Sequence, residues 1–446
     1  MCPRGPEGGR VTADENANQR EDPGAENSSG VSALSPWPQS PAHRAWLLDE
    51  ALRLLDFFRA SLDDTGQFVE LDDDGRPLRA SDNAAPTSGQ SLLTVARIVH
   101  SYALGELLGV PGCGPIVDRG IDVLWVQHRD TESGGYFELV GAARPIDSTK
   151  SAYGHAFVLL AASSALMAGH DARTLYEDVT GTIDAHFWSE ADGASRESFD
   201  RNWREREPYR GANSNMHLCE AFLAAADSTG DTALATRAAR IAKLLIDTQA
   251  RSNGWMLPEH YDPAWQPRLS YNRDRLDDPY RPYGVTIGHL LEWSRLLLST
   301  SVATGEHDGW MRDAAGALFR HAVDVGWDDE RGGLSYTVDF DGSQANPDHY
   351  CWPVAEGIGA SALLLQLTGE PLYEGWYRKF WDFAGSHLID HARGGWYPEL
   401  DQRNRRKSGP WYGKPDLYHV LQSCLLPLLP PAASVAGALR SAPLAL

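Results

Sequence analysis

The chain has 446 residues, with 61 acidic against 40 basic side chains and a formal net charge of −21 at pH 7. Such a charge opposes nucleic acid and anionic membrane as partners, since both require a basic face, and no apolar run reaches the ~18 residues of a membrane-spanning helix. Cys2, Cys113, Cys219, Cys351 and Cys424 form no CxxC pair, so neither a zinc site nor a disulfide framework is expected, and a reducing cytoplasm is.

In chain order, positions 1–41 are rich in Gly, Ser, Pro, Asn and Glu, with few large apolar residues. They read as a disordered extension without a secretory signal. Positions 42–430 then alternate two kinds of helical pattern. Ala45–Ser61, Ile116–Gln127, Ala172–Phe187, Ala233–Ala250, Met311–Val325 and Tyr373–His387 repeat apolar residues at three- and four-residue steps, the mark of a helix with one solvated side. Between them come Leu93–Leu108, Tyr153–Met167, Met216–Ala226, His289–Val302, Val354–Leu367 and Tyr418–Leu429, apolar nearly all round and so expected to be buried. Gly109, Gly169, Gly230, Gly305 and Gly369 suit left-handed helix ends. The Ala/Pro-rich stretch 431–446 reads as a flexible tail.

A short phrase follows each amphipathic helix: a glycine turn, then aromatic or apolar residues. Its copies are Thr65-Gly66-Gln67-Phe68-Val69, Gly134-Gly135-Tyr136-Phe137, Asp192-Gly193-Ala194, Asn253-Gly254-Trp255, Gly332-Gly333-Leu334-Ser335-Tyr336 and Gly394-Gly395-Trp396-Tyr397. Repeats at a period of roughly 60–80 residues predict one closed domain whose units bury their faces against their neighbours. The expectation is an all-α (α/α)6 barrel of six helical hairpins, the apolar helices inside. Short β-hairpins and long loops gather at the mouth, where the inner helices begin.

Those inner-helix starts carry polar and titratable residues, Arg97, Tyr153 and His155, Asn213 and His217, His289 and Glu292, Glu356, Asp416 and His419, with Trp352 beside them. A buried polar cluster costs desolvation without improving packing, and perturbed titratable groups concentrate at functional sites. One shared active site is therefore expected at the mouth. No HExxH motif is present, there is no second Glu-x-x-His pair to match His289 and Glu292, and His217-x-x-Glu220 lacks an evident carboxylate partner. Neither metal nor cofactor is expected. An inverting glycosidase would need two carboxylates, for which Glu292, Glu356, Glu399 and Asp416 are available. The abundance of histidine favours proton transfer instead. Trp255, Tyr283, Trp352, Trp396, Trp411 and Tyr412 on the mouth loops are candidates to stack on a sugar ring.

The segments Tyr209-Arg210-Gly211-Ala212-Asn213-Ser214-Asn215-Met216-His217, Arg281-Pro282-Tyr283-Gly284 with Gly288-His289-x-x-Glu292-Trp293, and Gly413-Lys414-Pro415-Asp416-Leu417-Tyr418-His419 resemble the N-acylglucosamine 2-epimerase superfamily, in its aldose–ketose isomerase branch. The resemblance spans about Arg44 to Pro430. It implies a metal-independent isomerase working through a cis-enediol, interconverting D-mannose and D-fructose, with D-lyxose and D-xylulose as a further pair. It further implies that His419 moves the proton between C2 and C1, and that His289, supported by Glu292, opens the ring and shuttles protons between oxygens. Arg97 is then expected to hold the enediolate, and His217 to bind near the reacting carbons. Tyr153, Asn213, Arg281, Trp352, Glu356, Trp411 and Asp416 are the expected sugar contacts.

The chain also departs from the family pattern. Leu93 replaces a frequent Trp, and Ile287 replaces the Pro of Thr-Pro-Gly-His. The Arg and Gln that sulfoquinovose-acting members carry fall on Pro279 and Pro415, which favours a neutral sugar. A 2-epimerase, on an N-acyl sugar, glucose or a disaccharide, would use the same two histidines. A noncatalytic binder would lack one of them. The only partner expected is a small sugar; nothing in the pattern opposes a homo-oligomer.

Overall fold

The computed structural model describes Met1 and residues 36–78, 89–407, 409 and 412–444. The expectation of a disordered extension falls mainly on positions 2–35, outside the described residues. Its last residues differ from that expectation: Trp37–Gln39 form a 3-10 turn, and the Trp37 N–H donates to Glu374 Oε1 at 3.1 Å.

Six helical hairpins follow. The outer helices are α1 (Pro41–Phe57), α3 (Gly114–Val123), α5 (Arg173–Thr182), α7 (Thr232–Ala242), α9 (Trp310–Gly326) and α11 (Pro371–Phe383). The inner helices are α2 (Leu92–Leu107), α4 (Ala152–Met167), α6 (Ala212–Thr229), α8 (Ile287–Thr304), α10 (Cys351–Thr368) and α12 (Tyr418–Leu425). Each inner helix packs on the next, and α12 packs back on α2, so the inner ring closes. The fold is an (α/α)6 barrel.

The two layers differ for the reason visible in their periodicity. Helix α7 buries Leu234, Ala235, Ala238, Ile241 and Ala242, one stripe at three- and four-residue steps. Helix α4 buries every residue except Tyr153 and Leu166, so it has no solvated side. Fully burying a Leu or Phe side chain is worth about 1.5–3 kcal/mol, and this apolar wall isolates the few polar groups that the inner ring carries. Most outer helices finish in a wider π-helical turn, at Leu124–His128, Ile183–Phe187, Lys243–Ala250 and Ala384–Leu388.

Short strands staple neighbouring hairpins together at the mouth. A two-residue strand just before an inner helix pairs antiparallel with the strand after the next outer helix. The pairs are Gln90–Ser91 with Leu139–Val140, Lys150–Ser151 with Ser198–Phe199, Arg210–Gly211 with His260–Tyr261, Val285–Thr286 with Thr337–Val338, and His349–Tyr350 with Glu399–Leu400. The glycine phrases turn the chain into these strands. In three of them an Asp and a Gly-Gly pair repeat one geometry, the second-last Gly N–H donating to the Asp carbonyl at 2.8 Å in Asp130–Gly134, Asp328–Gly332 and Asp390–Gly394. All six of those glycines have positive φ, which a side chain would strain.

At the end away from the mouth the structure differs from the flexible tail expected. Val435–Ser441 form a helix, α13, that buries Val435, Ala436, Ala438 and Leu439 against α2, α4 and α6. Ser434 caps it and also donates to Asp227 Oδ2 at 2.6 Å. Alanine-rich composition conceals a short apolar stripe here. Among the described residues, no helix is long and apolar enough to cross a membrane.

Candidate active site

The first turns of the inner helices surround one cavity. Arg97 of α2, Tyr153 of α4, Asn213 and His217 of α6, His289 and Glu292 of α8, Trp352 of α10, and Asp416 and His419 at the start of α12 all line it. Tyr336, Tyr350, Cys351, Pro279, Tyr280, Pro282, Pro398 and Pro415 complete its wall.

Two histidines are held in the same way. His289 Nδ1 lies 2.8 Å from Glu259 Oε1, and His419 Nδ1 lies 2.9 Å from Glu356 Oε1, with all four residues buried. An ionised carboxylate only accepts, so it fixes the proton on Nδ1 and leaves Nε2 with its lone pair. Trp352 stands between the two rings, 5.3 Å from His289 and 5.5 Å from His419 by ring centroids. Gly288 makes room for that indole: a Cβ there would collide with the Trp352 ring. Asp416 Oδ1 accepts the backbone N–H of His419 at 3.0 Å and so fixes the entry into α12.

On the opposite wall Arg97 Nη2 donates to the Tyr153 hydroxyl at 3.0 Å, while its guanidinium lies over the rings of Phe157 and Tyr418. Burial pushes the His217 imidazole down to about 4, so it is neutral at pH 7. Arg97 Nε, Asn213 Oδ1, His217 Nδ1 and both Glu292 oxygens are buried without a hydrogen-bond partner within the protein. Unmade hydrogen bonds in a dry site are expensive, and here they belong to residues that converge on one cavity.

Beneath the cavity lies a cluster of charge. Arg295 donates from Nε to Glu356 Oε2 at 2.8 Å, and from Nη1 and Nη2 to Glu220 Oε1, both at 3.3 Å. Its Nη2 is 3.7 Å from Glu292 Oε1. Tyr418 donates its hydroxyl to Glu220 Oε2. Burial first, then the neighbouring Glu356, push the Glu292 carboxyl well above the usual range, against the pull of Arg295. Its environment therefore favours the protonated carboxyl over the carboxylate. Burial also raises Glu356, but Arg295 and His419 more than offset it and hold it below the usual range.

The grouping corrects part of the sequence reading. His217 and Glu220 do have a carboxylate partner, because the fold brings in Glu292, 3.7 Å from His217 Nδ1. His217, Glu220 and Glu292 form one close group, and Glu292, Glu356 and His419 a second, each with the spacing of a metal site. The Arg295 guanidinium already stands among the same carboxylates and supplies their counter-charge, so the arrangement is an ion-pair network.

Of the expected residues, Arg97, Tyr153, Asn213, His217, His289, Glu292, Trp352, Asp416 and His419 come together in the cavity. Three do not. Glu356 stands behind His419 and lines no part of the cavity. Arg281 lines an adjoining outer depression that shares Tyr153, Asn213, Pro279 and Tyr280 with the cavity, its guanidinium taken by Glu207 at 2.6 Å and Glu197 at 3.5 Å and stacked on Tyr209. Trp411 lies outside the described residues. The expected support of His289 by Glu292 also differs, since its Nδ1 partner is Glu259. Among the aromatics, Trp352 alone of the described candidates reaches the cavity. Trp396 is buried against Glu50, Tyr283 bonds Asp339, Trp255 stacks with Arg251, and Tyr412 lies in the outer depression. His155 accepts the Tyr136 N–H and pins a glycine turn, a structural task.

Glu259 and Arg295 were missed. Glu259 sits in a long loop with no periodicity to mark it. Arg295 did leave a signal: it is a lone cation three residues beyond Glu292, on a helix otherwise filled with Leu290, Leu291, Leu296, Leu297 and Leu298.

An (α/α)6 barrel whose mouth gathers two carboxylate-anchored histidines, an arginine and a buried glutamate around one cavity is the architecture of an enzyme of the epimerase and isomerase class. The chain belongs to the N-acylglucosamine 2-epimerase family, whose profile matches residues 66–423. It is 45% identical over 409 residues to a D-mannose isomerase of Thermobifida fusca, covering 91% of this chain and 99% of that protein. It is 43% identical over 413 residues to a D-mannose isomerase of Pseudomonas cannabina pv. alisalensis, covering 91% and 97% respectively. A crystal structure of a D-mannose isomerase superposes with a TM-score of 0.81 at 32% identity, over 87% of this chain and 99% of that one. The cellobiose 2-epimerase of Spirochaeta thermophila shares the fold, with a TM-score of 0.76 at 20% identity over 89% and 98%.

Proposed function

We propose that this chain is an aldose–ketose isomerase that interconverts D-mannose and D-fructose through a cis-enediol. The observation that carries the reading is the pair of histidines, each held through Nδ1 by a buried carboxylate and facing one cavity across Trp352. The similarity to D-mannose isomerases over nine-tenths of the chain supports the choice of sugar.

The chemistry follows from the groups present. His289 Nε2 takes the O1 proton of the cyclic sugar and delivers it to O5 as the C1–O5 bond breaks, and the ring opens. His419 Nε2 then removes the C2 proton, and the electron pair forms the C1=C2 double bond while charge moves onto O1. Arg97 and the carboxyl proton of Glu292 stabilise that charge, which a fixed donor set in a dry site does well. His289 moves the O2 proton to O1, and His419 returns its proton to C1, giving the ketose. His217, neutral, and Asn213, with a free Oδ1, hold hydroxyls. Each transfer needs a base whose geometry is set in advance, and the two carboxylate anchors provide it.

A neutral C6 group fits better than a sulfonate. Pro279 and Pro415 line the cavity and offer no side-chain donor, and Arg281 is committed to Glu207 and Glu197. Burying an anion without charge-assisted donors is costly. Four free buried thiols among the described residues agree with a reducing cytoplasm. Side-by-side kinetics on D-mannose, D-lyxose, D-glucose, N-acetyl-D-mannosamine and sulfoquinovose test the reading. The highest kcat/KM is expected on D-mannose or D-lyxose, and a preference for sulfoquinovose or N-acetyl-D-mannosamine overturns it.

A further inference from the structure

Arg295 is a buried cation that touches neither the cavity nor, by its place, the sugar. It lies two turns into α8 and joins three carboxylates from three helices: Glu220 of α6, Glu292 of α8 and Glu356 of α10. Glu356 is in turn the anchor of His419. An apolar helix that carries one arginine at such a node invites a reason beyond packing, because burying a guanidinium and three carboxyl groups is unfavourable unless their charges balance.

We propose that Arg295 is a positioning residue for the proton-transfer step: it keeps Glu356 an ionised acceptor for His419 Nδ1–H, and thereby keeps His419 Nε2 unprotonated and able to act as base. The inference rests on the isomerase reading above. One cation faces three carboxyl groups here, so the three do not all ionise together, and the geometry decides which keeps a proton. Glu356 and Glu220, hydrogen-bonded to the guanidinium, are the ionised pair, and Glu292, more distant at 3.7 Å, keeps its proton. The directions agree: Arg295 draws Glu356 and Glu220 below the usual carboxylate range, while Glu292 is raised.

The other groups that face this cluster are Arg97 and His100 from α2, Tyr153 from α4, His217 from α6, His289 from α8, and Tyr418 and His419 from α12. None of them takes the place of the guanidinium. Arg97 is committed to Tyr153 and the cavity wall, and His100 and His217 are both pushed down to about 4 by burial and stay neutral. Removing Arg295 therefore leaves the carboxylates without their counter-ion. Loss of a cation favours the protonated form of every group beside it. The Glu356–His419 pair then gains a proton at neutral pH, and an imidazolium has no lone pair with which to take a proton from C2.

The test is the pH dependence of kcat/KM on D-mannose for the wild type and for Arg295→Gln, Arg295→Lys and Glu220→Gln. Arg295→Gln is expected to move the acid limb upward by about one pH unit or more, to lower kcat by about tenfold or more at pH values below the wild-type limb with little change in KM, and to regain activity as pH rises. Arg295→Lys, which keeps the charge, is expected to restore most of it. Glu220→Gln removes a competing anion and is expected to move the limb the other way, downward. Opposite shifts from these two changes are not produced by a residue that only fills space. If Arg295→Gln does not fold, Glu220→Gln decides alone: a downward limb supports the proposal and an unmoved limb overturns it. Imidazole ¹⁵N NMR of His419 in the same proteins reads the effect without substrate. Inactivity of the wild type on D-mannose therefore counts against the isomerase reading, whereas an unmoved His419 titration counts against the role of Arg295.

Discussion

His419 donates its Nδ1 proton to Glu356 Oε1 across 2.9 Å, joining the sixth inner helix to the fifth. The base is thus oriented by the neighbouring hairpin, and closure of the ring is what assembles it. His289 follows the same rule with a different source, since Glu259 comes from the loop that follows α7. Both anchors are buried, which strengthens the hydrogen bond and shields it from water.

His289→Ala and His419→Ala are expected to abolish turnover on D-mannose, each by about 10²–10⁴-fold, the usual cost of a lost general acid–base group. Both residues line an open cavity, so the fold is expected to survive. Circular dichroism and initial rates check the two halves of the statement. A variant that keeps more than a tenth of the activity removes that histidine from the chemistry.

Glu356→Gln and Glu259→Gln preserve shape and an accepting oxygen but remove the charge that fixes the tautomer. Losing a carboxylate behind a catalytic histidine has a large cost where the wrong tautomer results, so kcat is expected to fall by about 10²-fold or more in each. KM is expected to change little for Glu356→Gln, because Glu356 lines no part of the cavity. A rise in KM with kcat preserved is the signature of direct sugar binding, and contradicts the anchoring role.

Gly288→Ala tests the packing that separates the two bases. A Cβ at this position meets the Trp352 ring, and the indole has to move into the cavity. Overpacking of this kind costs about 1–3 kcal/mol, so a lower melting temperature is expected together with a clear loss of kcat/KM. Wild-type kinetics in Gly288→Ala show that Trp352 has room to spare and is not fixed between the histidines.

Much of this architecture was legible in the sequence because each layer repeats its physics. The stripe of α7 and the uniform apolarity of α4 distinguish outer from inner helices, and six glycine phrases mark the mouth. His289, His419, His217 and Arg97 were readable because each interrupts an apolar helix at the same level. What periodicity does not encode is which side chain meets which across the ring. Glu356 is expected among the sugar contacts, yet in the fold it faces Arg295 and His419. Arg281 was placed at the sugar by its motif, but Glu207 and Glu197, brought in from another loop, hold it away. Glu259 has no local pattern, and its importance exists only once α7 and α8 are adjacent. The helix α13 escaped notice because four buried residues in an Ala/Pro-rich segment make a weak signal.

The central claim is that a protein base, His419, carries the hydrogen between C2 and C1 through an enediol. Incubating the enzyme with D-mannose in heavy water and reading the product by NMR tests it most directly. The account predicts D-fructose with deuterium at C1, since a proton held on an imidazole exchanges with solvent before it is returned. D-fructose formed without deuterium at C1, or D-glucose deuterated at C2 with no fructose, would contradict it.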